Sequence, residues 1–372
     1  MCTMAGLRNS HSLKFLIPVI AVLTVAVVCE VGLRVYHFLK EGLSVRQWPY
    51  RIVGHYGATT LDKDLGWKAT EDYSIQRTET SLEGRPYTVV INQDTNGFRQ
   101  FGDLKSDKPK VLVVGDSFTH ALEVSDGNTY YSIMGKKLNV EIFAYGVGNY
   151  GTLQEFMIID RYLEKIRPQI VIWQLCSNDF MNNDADLYNA SNFHNDFRER
   201  PYWLNGQVVY ILPESRLVGF RRWGYKYSQF FVFIMTRVDQ LTREHVKPTI
   251  EEQIEQLDEH HHGFARAVRT TSELLAIGAR RIAPAQIVAF NCDIAEPYNR
   301  HFQRLAKQVG MIFLDDVARA VQHSAEEGND VYHADSTHWN EKGHAIAAGV
   351  LGDTVKKLLE QGSVAAAVNV SD

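Results

Sequence analysis

Residues 110–118 read KVLVVGDSF, a short apolar run that ends on glycine and passes directly into an aspartate and a serine. A run that is apolar at every position is typical of a strand buried on both faces of a parallel sheet. Comparable runs recur along the chain with helical patterns between them, at residues 140–144, 170–175, 282–290 and 311–314. This alternation predicts a three-layer α/β/α fold around a parallel sheet of about five strands.

Polar or glycine-rich segments follow the predicted strands. Residues 115–117 (GDS) follow the first strand, residues 146–151 (GVGNYG) the second and residues 176–179 (CSND) the third, and residues 335–340 (DSTHWN) precede a last predicted helix. In an open parallel sheet, ligands bind beyond the carboxyl ends of the strands. We therefore expect these four segments to meet at one end of the sheet.

Together the segments contain the groups that acyl transfer requires. Ser117 can act as nucleophile, His338 as its base, and Asp335 can orient the ring of His338 across a tight turn. The N–H of Ser117, a backbone N–H in residues 146–151 and the side-chain amide of Asn178 can bind an oxyanion. Each motif is common by itself, but their placement after successive strands favours a catalytic site over ordinary turns.

These residues resemble the SGNH (GDSL-type) hydrolases, and the resemblance covers about residues 85–360. Gly115-Asp116-Ser117 matches the nucleophile block of that family, Asn178-Asp179 its Asn-Asp block, and Asp335-x-x-His338 its terminal block. The resemblance implies a flavodoxin-like SGNH hydrolase fold and a serine esterase mechanism without metal or cofactor. It also implies Ser117 as nucleophile, His338 as base and Asp335 as the partner of that base.

The chain departs from the family pattern at two positions. The glycine usual at the oxyanion position falls at Asn149, next to Gly148, and the glycine that opens the third block is Cys176. A backbone N–H donates whatever the side chain, and asparagine tolerates positive φ better than most residues. We expect the oxyanion hole to comprise Ser117, Gly148, Asn149 and Asn178, and Cys176 to be a small buried side chain.

An apolar stretch precedes the predicted hydrolase. Residues 15–33 contain one charge and are long enough to cross a hydrocarbon core. No A-x-A-like cleavage site follows, so we expect a retained transmembrane anchor rather than a signal peptide or a core helix. We predict a membrane-anchored bacterial protein, single-pass in the inner (cytoplasmic) membrane, with a periplasmic or extracellular catalytic domain. The flanking Lys and Arg residues, counted alone, favour the opposite orientation.

The composition excludes several classes of protein. The 372 residues carry 39 Lys+Arg against 44 Asp+Glu, a net charge of −5, which disfavours nucleic acid as a partner. Four cysteines in a chain of this length predict neither a disulfide framework nor a zinc pair. The predicted organisation is an anchor in residues 1–40, an extension with β segments in 41–108, a hydrolase domain in 109–361 with an insertion at about 180–248, and a flexible tail in 362–372.

Three further features have plainer interpretations. Residues 258–262 (DEHHH) lack the HExxH spacing, so we interpret them as a solvated helix face rather than a metal site. The insertion contains arginines that we interpret as ordinary surface charge: Arg198, Arg200, Arg216, Arg221 and Arg222. Its aromatic residues could either stack on sugar rings or pack a core: Tyr188, Phe193, Phe197, Tyr202, Trp203, Trp223, Tyr225 and Tyr227.

The function that these features favour is a serine esterase that acts on an O-acyl group, most simply O-acetyl, of a cell-envelope glycan. A sugar hydroxyl in place of water would make the enzyme an acyltransferase. A lysophospholipase or thioesterase is the alternative within the same class of enzyme. A catalytically silent binding or assembly module on the same fold is the alternative from another class, because fold does not fix function. The oligomeric state stays open.

Overall fold

The computed structural model describes residues 9–41, 57–191, 199–211, 220, 223–224, 227–243 and 248–369. The chain divides into two compact units. One unit comprises residues 1–57 and 215–247, and the other comprises residues 58–214 and 248–372. The second unit contains the predicted hydrolase domain apart from residues 215–247, which fall within the predicted insertion.

The strands and helices are numbered in chain order. The strands are β1 (Thr59–Asp62), β2 (Gly66–Ala69), β3 (Ser74–Thr80), β4 (Pro86–Asn92), β5 (Gln100–Phe101), β6 (Lys110–Gly115), β7 (Glu141–Gly146), β8 (Ile170–Leu175), β9 (Arg200–Leu204), β10 (Gln207–Ile211), β11 (Gln286–Asn291) and β12 (Ile312–Phe313). The helices are α1 (Asn9–Glu41), α2 (Ser117–His120), α3 (Tyr130–Leu138), α4 (Thr152–Ile166), α5 (Asn178–Asn182), α6 (Ala185–Ala190), α7 (Gln229–Arg243), α8 (Ile250–Leu257), α9 (His262–Ile282), α10 (Tyr298–Gln308), α11 (Asp316–Glu326) and α12 (Glu341–Asn369).

The central sheet confirms the predicted α/β fold. Its strand order is β12-β11-β8-β6-β7-β5, and neighbouring strands from β12 to β7 are parallel. Strand β8 (IVIWQL) is buried at every position, as expected of a strand covered on both faces. The short strand β5 pairs antiparallel with β7 and adds a sixth strand that the apolar runs did not predict.

Helices cover both faces of this sheet. Helices α3, α11 and α12 pack over one core, in which Tyr130, Met134, Val317, Val355 and other buried side chains meet. Helix α9 lies close to the sheet at Gly278, where an added Cβ would lie 2.5 Å from the ring of Trp173. Only a residue without a side chain permits this approach, so Gly278 fixes the distance between α9 and the sheet.

Antiparallel hairpins flank the main sheet. The pairs are β1 with β2, β3 with β4, and β9 with β10. Strands β3 and β4 fall within the extension, residues 41–108, in which β segments are predicted. Val89 and Ile91 of β4 are buried together with Leu122, just after α2. The hairpin of β3 and β4 therefore packs against the loop that follows Ser117.

A disulfide joins Cys176 and Cys292, whose Cα atoms are 5.3 Å apart. These residues directly follow β8 and β11, which are neighbours in the sheet, so their side chains meet at its carboxyl edge. Cys176 is buried, as expected, but the number of cysteines did not predict its bond. Its partner lies 116 residues away, and only the strand pairing brings the two cysteines together.

The last helix and the insertion differ in detail from their sequence interpretation. Helix α12 continues to Asn369, so part of the segment predicted as a tail, 362–372, lies within a helix. The segment 180–248 is shared between both units. Of its aromatic residues, Tyr188 and Tyr202 are buried, whereas Trp223 and Tyr227 are exposed. Those outside the described residues are Phe193, Phe197 and Tyr225.

Candidate active site

Ser117 lies at the junction between β6 and α2. Asp116 is the N-cap of α2 and accepts a hydrogen bond from the N–H of Phe118 at 3.1 Å, which shapes the turn. Gly115 allows this turn to pack closely, because an added Cβ there would lie 2.2 Å from Gln174 Oε1. The sequence Gly-Asp-Ser thus gives a tight strand-to-helix turn with Ser117 at the first helical position.

The structure brings Ser117, His338 and Asp335 together. His338 Nε2 lies 2.9 Å from Ser117 Oγ, and His338 Nδ1 lies 2.5 Å from Asp335 Oδ2. The three side chains therefore form a continuous hydrogen-bonded chain from carboxylate to imidazole to hydroxyl. This is the geometry that a base-activated serine requires.

The turn that carries His338 and Asp335 is fixed locally. Asp335 Oδ1 accepts the N–H groups of Thr337 and His338, at 2.9 and 3.0 Å, and Ser336 has a φ of 61°. The next residue, Trp339, is buried with its ring 5.0 Å from that of Phe118. One aspartate thus shapes the turn with one oxygen and orients the histidine with the other.

The negative charges around His338 have the largest net effect on the pKa of its imidazole. Burial alone would lower the pKa of His338, but the carboxylates of Glu123 and Asp335 raise it to about 9. Burial would raise the pKa of Asp335, but hydrogen bonds from His333, His338 and the Thr337 N–H hold it well below its usual range. Glu123, Asp335 and His338 place ligand atoms within 4.8 Å of one another. Glu123 is thus a second carboxylate beside the imidazole.

A further histidine contacts the aspartate. His333 Nδ1 lies 3.6 Å from Asp335 Oδ2, and His333 Nε2 lies 3.1 Å from Glu79 Oε2 on β3. Interactions with Asp335 and with Glu79 raise the pKa of His333 to about 10. Arg77 pairs with Glu79 on the same strand. The hairpin of β3 and β4 thereby supplies charges to the candidate site, which the sequence motifs did not indicate.

The loop after β7 contains Gly148 and Asn149, for which an oxyanion role stays a prediction. Asn149 has a φ of 65°, the left-handed conformation in which the family has glycine. An added Cβ at Gly148 would lie 3.9 Å from Ser117 Cβ, so this loop adjoins the serine. Side chains from other segments hold the loop through hydrogen bonds to its carbonyls. Trp67 Nε1 donates to Gly148 O at 3.1 Å, and Arg200 donates to Asn149 O.

Arg200 is buried, and the interpretation of this arginine as surface charge is wrong. Its guanidinium donates to Asn182 Oδ1 at 2.9 Å and to Gln154 Oε1 at 2.7 Å, in addition to the carbonyl of Asn149. It also lies 4.6 Å from the ring centroid of Tyr188. Arg200 opens β9 and is 1% exposed. No local pattern marks it, because its acceptors come from distant segments.

Asn178 begins α5, directly after the loop that holds Cys176. Its side chain lies close enough to Asp116 to influence the pKa of that carboxyl, which burial raises. Asn178 Oδ1 is buried and has no hydrogen-bond partner among the described residues. Asp179 is fully buried and its pKa is raised well above its usual range by burial and by the nearby Glu155. Asn178 and Asp179 therefore lie beside the turn that carries Ser117, because the preceding strands, β8 and β6, are neighbours in the sheet.

The polar residues 258–262 have structural partners. Asp258 pairs with His301 at 2.7 Å and with Arg300, and His261 Nδ1 accepts the N–H of Phe264 at the start of α9. Within the described residues, side chains of the kinds that bind metals also lie close together at Cys176, Cys292 and Asp293. There, however, the two cysteines are bonded to each other.

The family model of the GDSL-like lipase/acylhydrolase family matches residues 113–346. Among solved structures, the chain is similar to esterase EstA from Pseudoalteromonas sp., with 11% identity, 68% of this chain and 98% of that chain covered, and a TM-score of 0.39. It is also similar to the lipase/acylhydrolase from Enterococcus faecalis, with 12% identity, 67% and 96% covered, and a TM-score of 0.37. A third is the acetyl xylan esterase Est2A from the rumen bacterium Butyrivibrio proteoclasticus, with 12% identity, 68% and 64% covered, and a TM-score of 0.34. Comparison with curated proteins gave no match.

The matched segment begins within β6 and ends within α12, so it includes the serine turn, the Asn-Asp segment and the histidine turn. It comprises more than half of the chain. The chain therefore belongs to the GDSL-like lipase/acylhydrolase family, and it is an ester-hydrolysing serine hydrolase.

Proposed function

We propose that the protein is a membrane-anchored serine esterase that removes an O-acyl group, most simply O-acetyl, from a cell-envelope glycan. The hydrogen-bonded chain from Asp335 through His338 to Ser117 is the observation that carries the proposal. In this proposal Ser117 is the nucleophile, His338 the base, and Asp335 the group that orients the imidazole and stabilises its charged form.

The reaction proceeds in two halves. Ser117 Oγ attacks the ester carbonyl carbon while His338 Nε2 takes the hydroxyl proton, and the carbonyl oxygen becomes an oxyanion. The N–H groups of Ser117 and of Gly148 or Asn149, together with the Asn178 amide, stabilise that oxyanion. The bond to the alcohol then breaks, and His338 returns the proton to the leaving alkoxide.

The second half releases the acid. His338 takes a proton from water, whose oxygen attacks the acyl-serine, and the collapse of the intermediate regenerates the hydroxyl of Ser117. A sugar hydroxyl in place of water would transfer the acyl group instead.

The exposure of the candidate site supports a large substrate that bears the acyl group. The side chains of His338 and Asp335 are 24% and 38% exposed, so the turn that carries them faces solvent. A polymer that presents small ester groups can approach such a surface without entering a deep cavity. A lysophospholipase or thioesterase remains the alternative, and it would require a long apolar path for the acyl chain.

Three observations support an anchored protein outside the cytoplasm. Helix α1 contains a 24-residue stretch, Leu16–Leu39, that is long and apolar enough to cross a membrane. The carboxylate of Glu30 in this stretch accepts hydrogen bonds from residues about 200 positions later, which supports a retained helix rather than a cleaved signal. The bond between Cys176 and Cys292 supports an oxidising compartment.

Active-site labelling tests the proposal. The full chain, solubilised in detergent, is treated with a fluorophosphonate probe, with Ser117→Ala as the control. We expect labelling of the parent that is lost in Ser117→Ala, together with a fall in turnover of several orders of magnitude. Absence of labelling in the folded parent would instead favour the silent binding module. A series of esters from acetyl to long-chain then separates the two enzymatic alternatives, because rising activity with chain length would favour a lipid substrate.

A further inference from the structure

The unit that contains α1 also contains α7, which is drawn from the insertion. Helix α7 begins QFFVFIM, and apolar side chains along it are exposed: Phe233 by 45%, Ile234 by 40%, Val238 by 41% and Leu241 by 62%. A helix that belongs to a protein core would bury such residues. Their exposure calls for an apolar environment outside the protein.

The start of α7 is bonded to α1. Glu30 Oε2 accepts the N–H of Phe230 at 2.9 Å and the hydroxyl of Ser228 at 2.9 Å, and Glu30 Oε1 accepts the N–H of Gln229 at 3.2 Å. The first N–H groups of a helix have no partner within the helix, and a carboxylate there is also favoured by the helix dipole. Glu30 thus serves as an N-terminal cap from another helix.

This bond fixes the depth at which α7 starts. Glu30 lies within the apolar stretch Leu16–Leu39, nine residues before its end, which is about 13 Å along a helix. Glu30 also pairs with Arg34 at 2.6 Å, and Arg34 donates to Tyr227 O at 3.2 Å. An ionisable pair inside an apolar span is costly unless it has such partners. The residues that start α7 therefore lie at the level of the last turns of the span.

The length of α7 limits how it can meet a bilayer. Its 15 residues extend about 22 Å, short of a hydrocarbon core of about 30 Å. The segment 215–247 also leaves the catalytic unit and returns to it, so both of its ends belong on one side of the membrane. An apolar helix of this length that is neither buried nor spanning is typical of a re-entrant or interfacial segment.

Aromatic residues lead into this helix. Phe220 contacts Trp223 and Phe231, with ring centroids 6.2 and 5.2 Å apart, and Trp223 lies 6.0 Å from Tyr227. Trp223 is 59% exposed. Tryptophan and tyrosine concentrate where hydrocarbon meets headgroups, because their rings are apolar with one polar atom.

We propose that α7 and the aromatic residues Phe220, Trp223 and Tyr227 before it form a second membrane contact and lie in the same leaflet of the bilayer as the last turns of α1. The partner of this surface is lipid. The inference rests on the anchoring by α1 given under the proposed function, and it adds that the insertion holds the protein to the membrane at a second place.

A fluorescent label tests the depth of α7. In the full chain with Cys2 and Cys29 replaced by serine, an environment-sensitive fluorophore is attached at Phe233→Cys, and the protein is reconstituted into vesicles whose lipids carry bromine on the acyl chains. Val22→Cys in α1 and Val90→Cys in β4 provide the membrane and solvent controls; these side chains are 68% and 39% exposed. We expect the Phe233 label to be quenched by bromolipids severalfold more than the Val90 label.

The controls separate the possible failures. Quenching at Val22 but not at Phe233 overturns this inference and leaves the anchor intact, whereas no quenching at either position also overturns the anchor. A Phe233 label protected from both bromolipid and aqueous iodide overturns the inference in favour of a second copy of the chain. Glu30→Leu should reduce quenching at Phe233, and Thr24→Leu should not, because the bond of Thr24 within the described part of the chain is to the carbonyl of Ile20 in its own helix.

Discussion

The imidazole of His333 lies 3.6 Å from Asp335 Oδ2, the same oxygen that His338 contacts at 2.5 Å. One carboxylate oxygen therefore faces two imidazoles. Glu79 binds the other nitrogen of His333 and keeps that ring charged, since the pKa of His333 is raised to about 10. Asp335 thus shares its negative charge between the proposed base and an imidazole that is charged at neutral pH.

The first prediction concerns the pH dependence of the reaction. The base form of His338 is required for attack, and the pKa of His338 in the free protein is raised to about 9. We expect kcat/KM to rise about tenfold per pH unit up to a midpoint near that pKa. Initial rates on an acetyl ester between pH 6 and 10.5 measure this. A midpoint near 6.5 would show that the carboxylates around His338 only offset the effect of its burial.

Replacement of His333 should move that profile upward. The cation at His333 opposes protonation of His338, so His333→Gln should shift the acidic limb of kcat/KM to higher pH by about one unit. His323→Gln is the matched control, because this exposed histidine pairs with Glu327, its one ionic partner among the described residues, and lies outside the site. A shift that shrinks at high salt would confirm a charge effect. An unchanged midpoint contradicts the role assigned to His333.

Replacement of Glu123 should move the profile in the opposite direction. Its carboxylate is a leading cause of the raised pKa of His338. Glu123→Gln should therefore lower the midpoint of kcat/KM by about one pH unit and increase activity near neutral pH. The same rate measurements test it, with Glu326→Gln on α11 as the control. Lower activity at every pH without a shift would indicate that Glu123 acts through packing or substrate contact instead.

Short motifs were sufficient to find the serine turn and the histidine turn, because each is shaped by its own neighbours. Asp335, for example, fixes its turn through residues two and three positions later. Glu79 and His333 are 254 residues apart, and only the packing of the β3–β4 hairpin joins them. Arg200 stands in a segment rich in charge and aromatics, and its burial depends on tertiary contacts. Local sequence reasoning therefore gave the central triad as a prediction, but not the charges around it.

The disulfide should contribute to stability. It closes a loop with a sequence separation of 116 residues and joins the ends of two neighbouring strands. We expect the double substitution Cys176→Ala and Cys292→Ala to lower the free energy of unfolding by about 2–5 kcal/mol. Denaturant titration with and without reductant measures it, with Cys29→Ala as the control for loss of a thiol. Equal stability of the parent in both conditions would show that the bond is absent from the native protein.

Arg200 should position the loop after β7, residues 146–151, in which oxyanion donors are proposed. It is buried and donates to the carbonyl of Asn149, whose left-handed conformation determines where the adjacent N–H groups point. Arg200→Met removes that bond. It also removes the guanidinium that donates to Gln154 Oε1 and Asn182 Oδ1. We expect kcat to fall at least about tenfold, because a displaced oxyanion donor acts on the transition state rather than on substrate binding.

The split between kinetic constants separates this positioning role from general destabilisation. Arg200→Lys keeps a charge that can reach one acceptor and should recover part of kcat, whereas the KM of both variants should stay close to that of the parent. Loss of a buried guanidinium that donates to three neutral oxygens should also cost about 3 kcal/mol of stability in Arg200→Met. Rates are therefore measured well below the melting temperature of each variant. A folded Arg200→Met with the kcat of the parent would show that the other bonds to the loop, such as Trp67 Nε1 to Gly148 O and Asn182 Nδ2 to Tyr150 O, are sufficient to fix it.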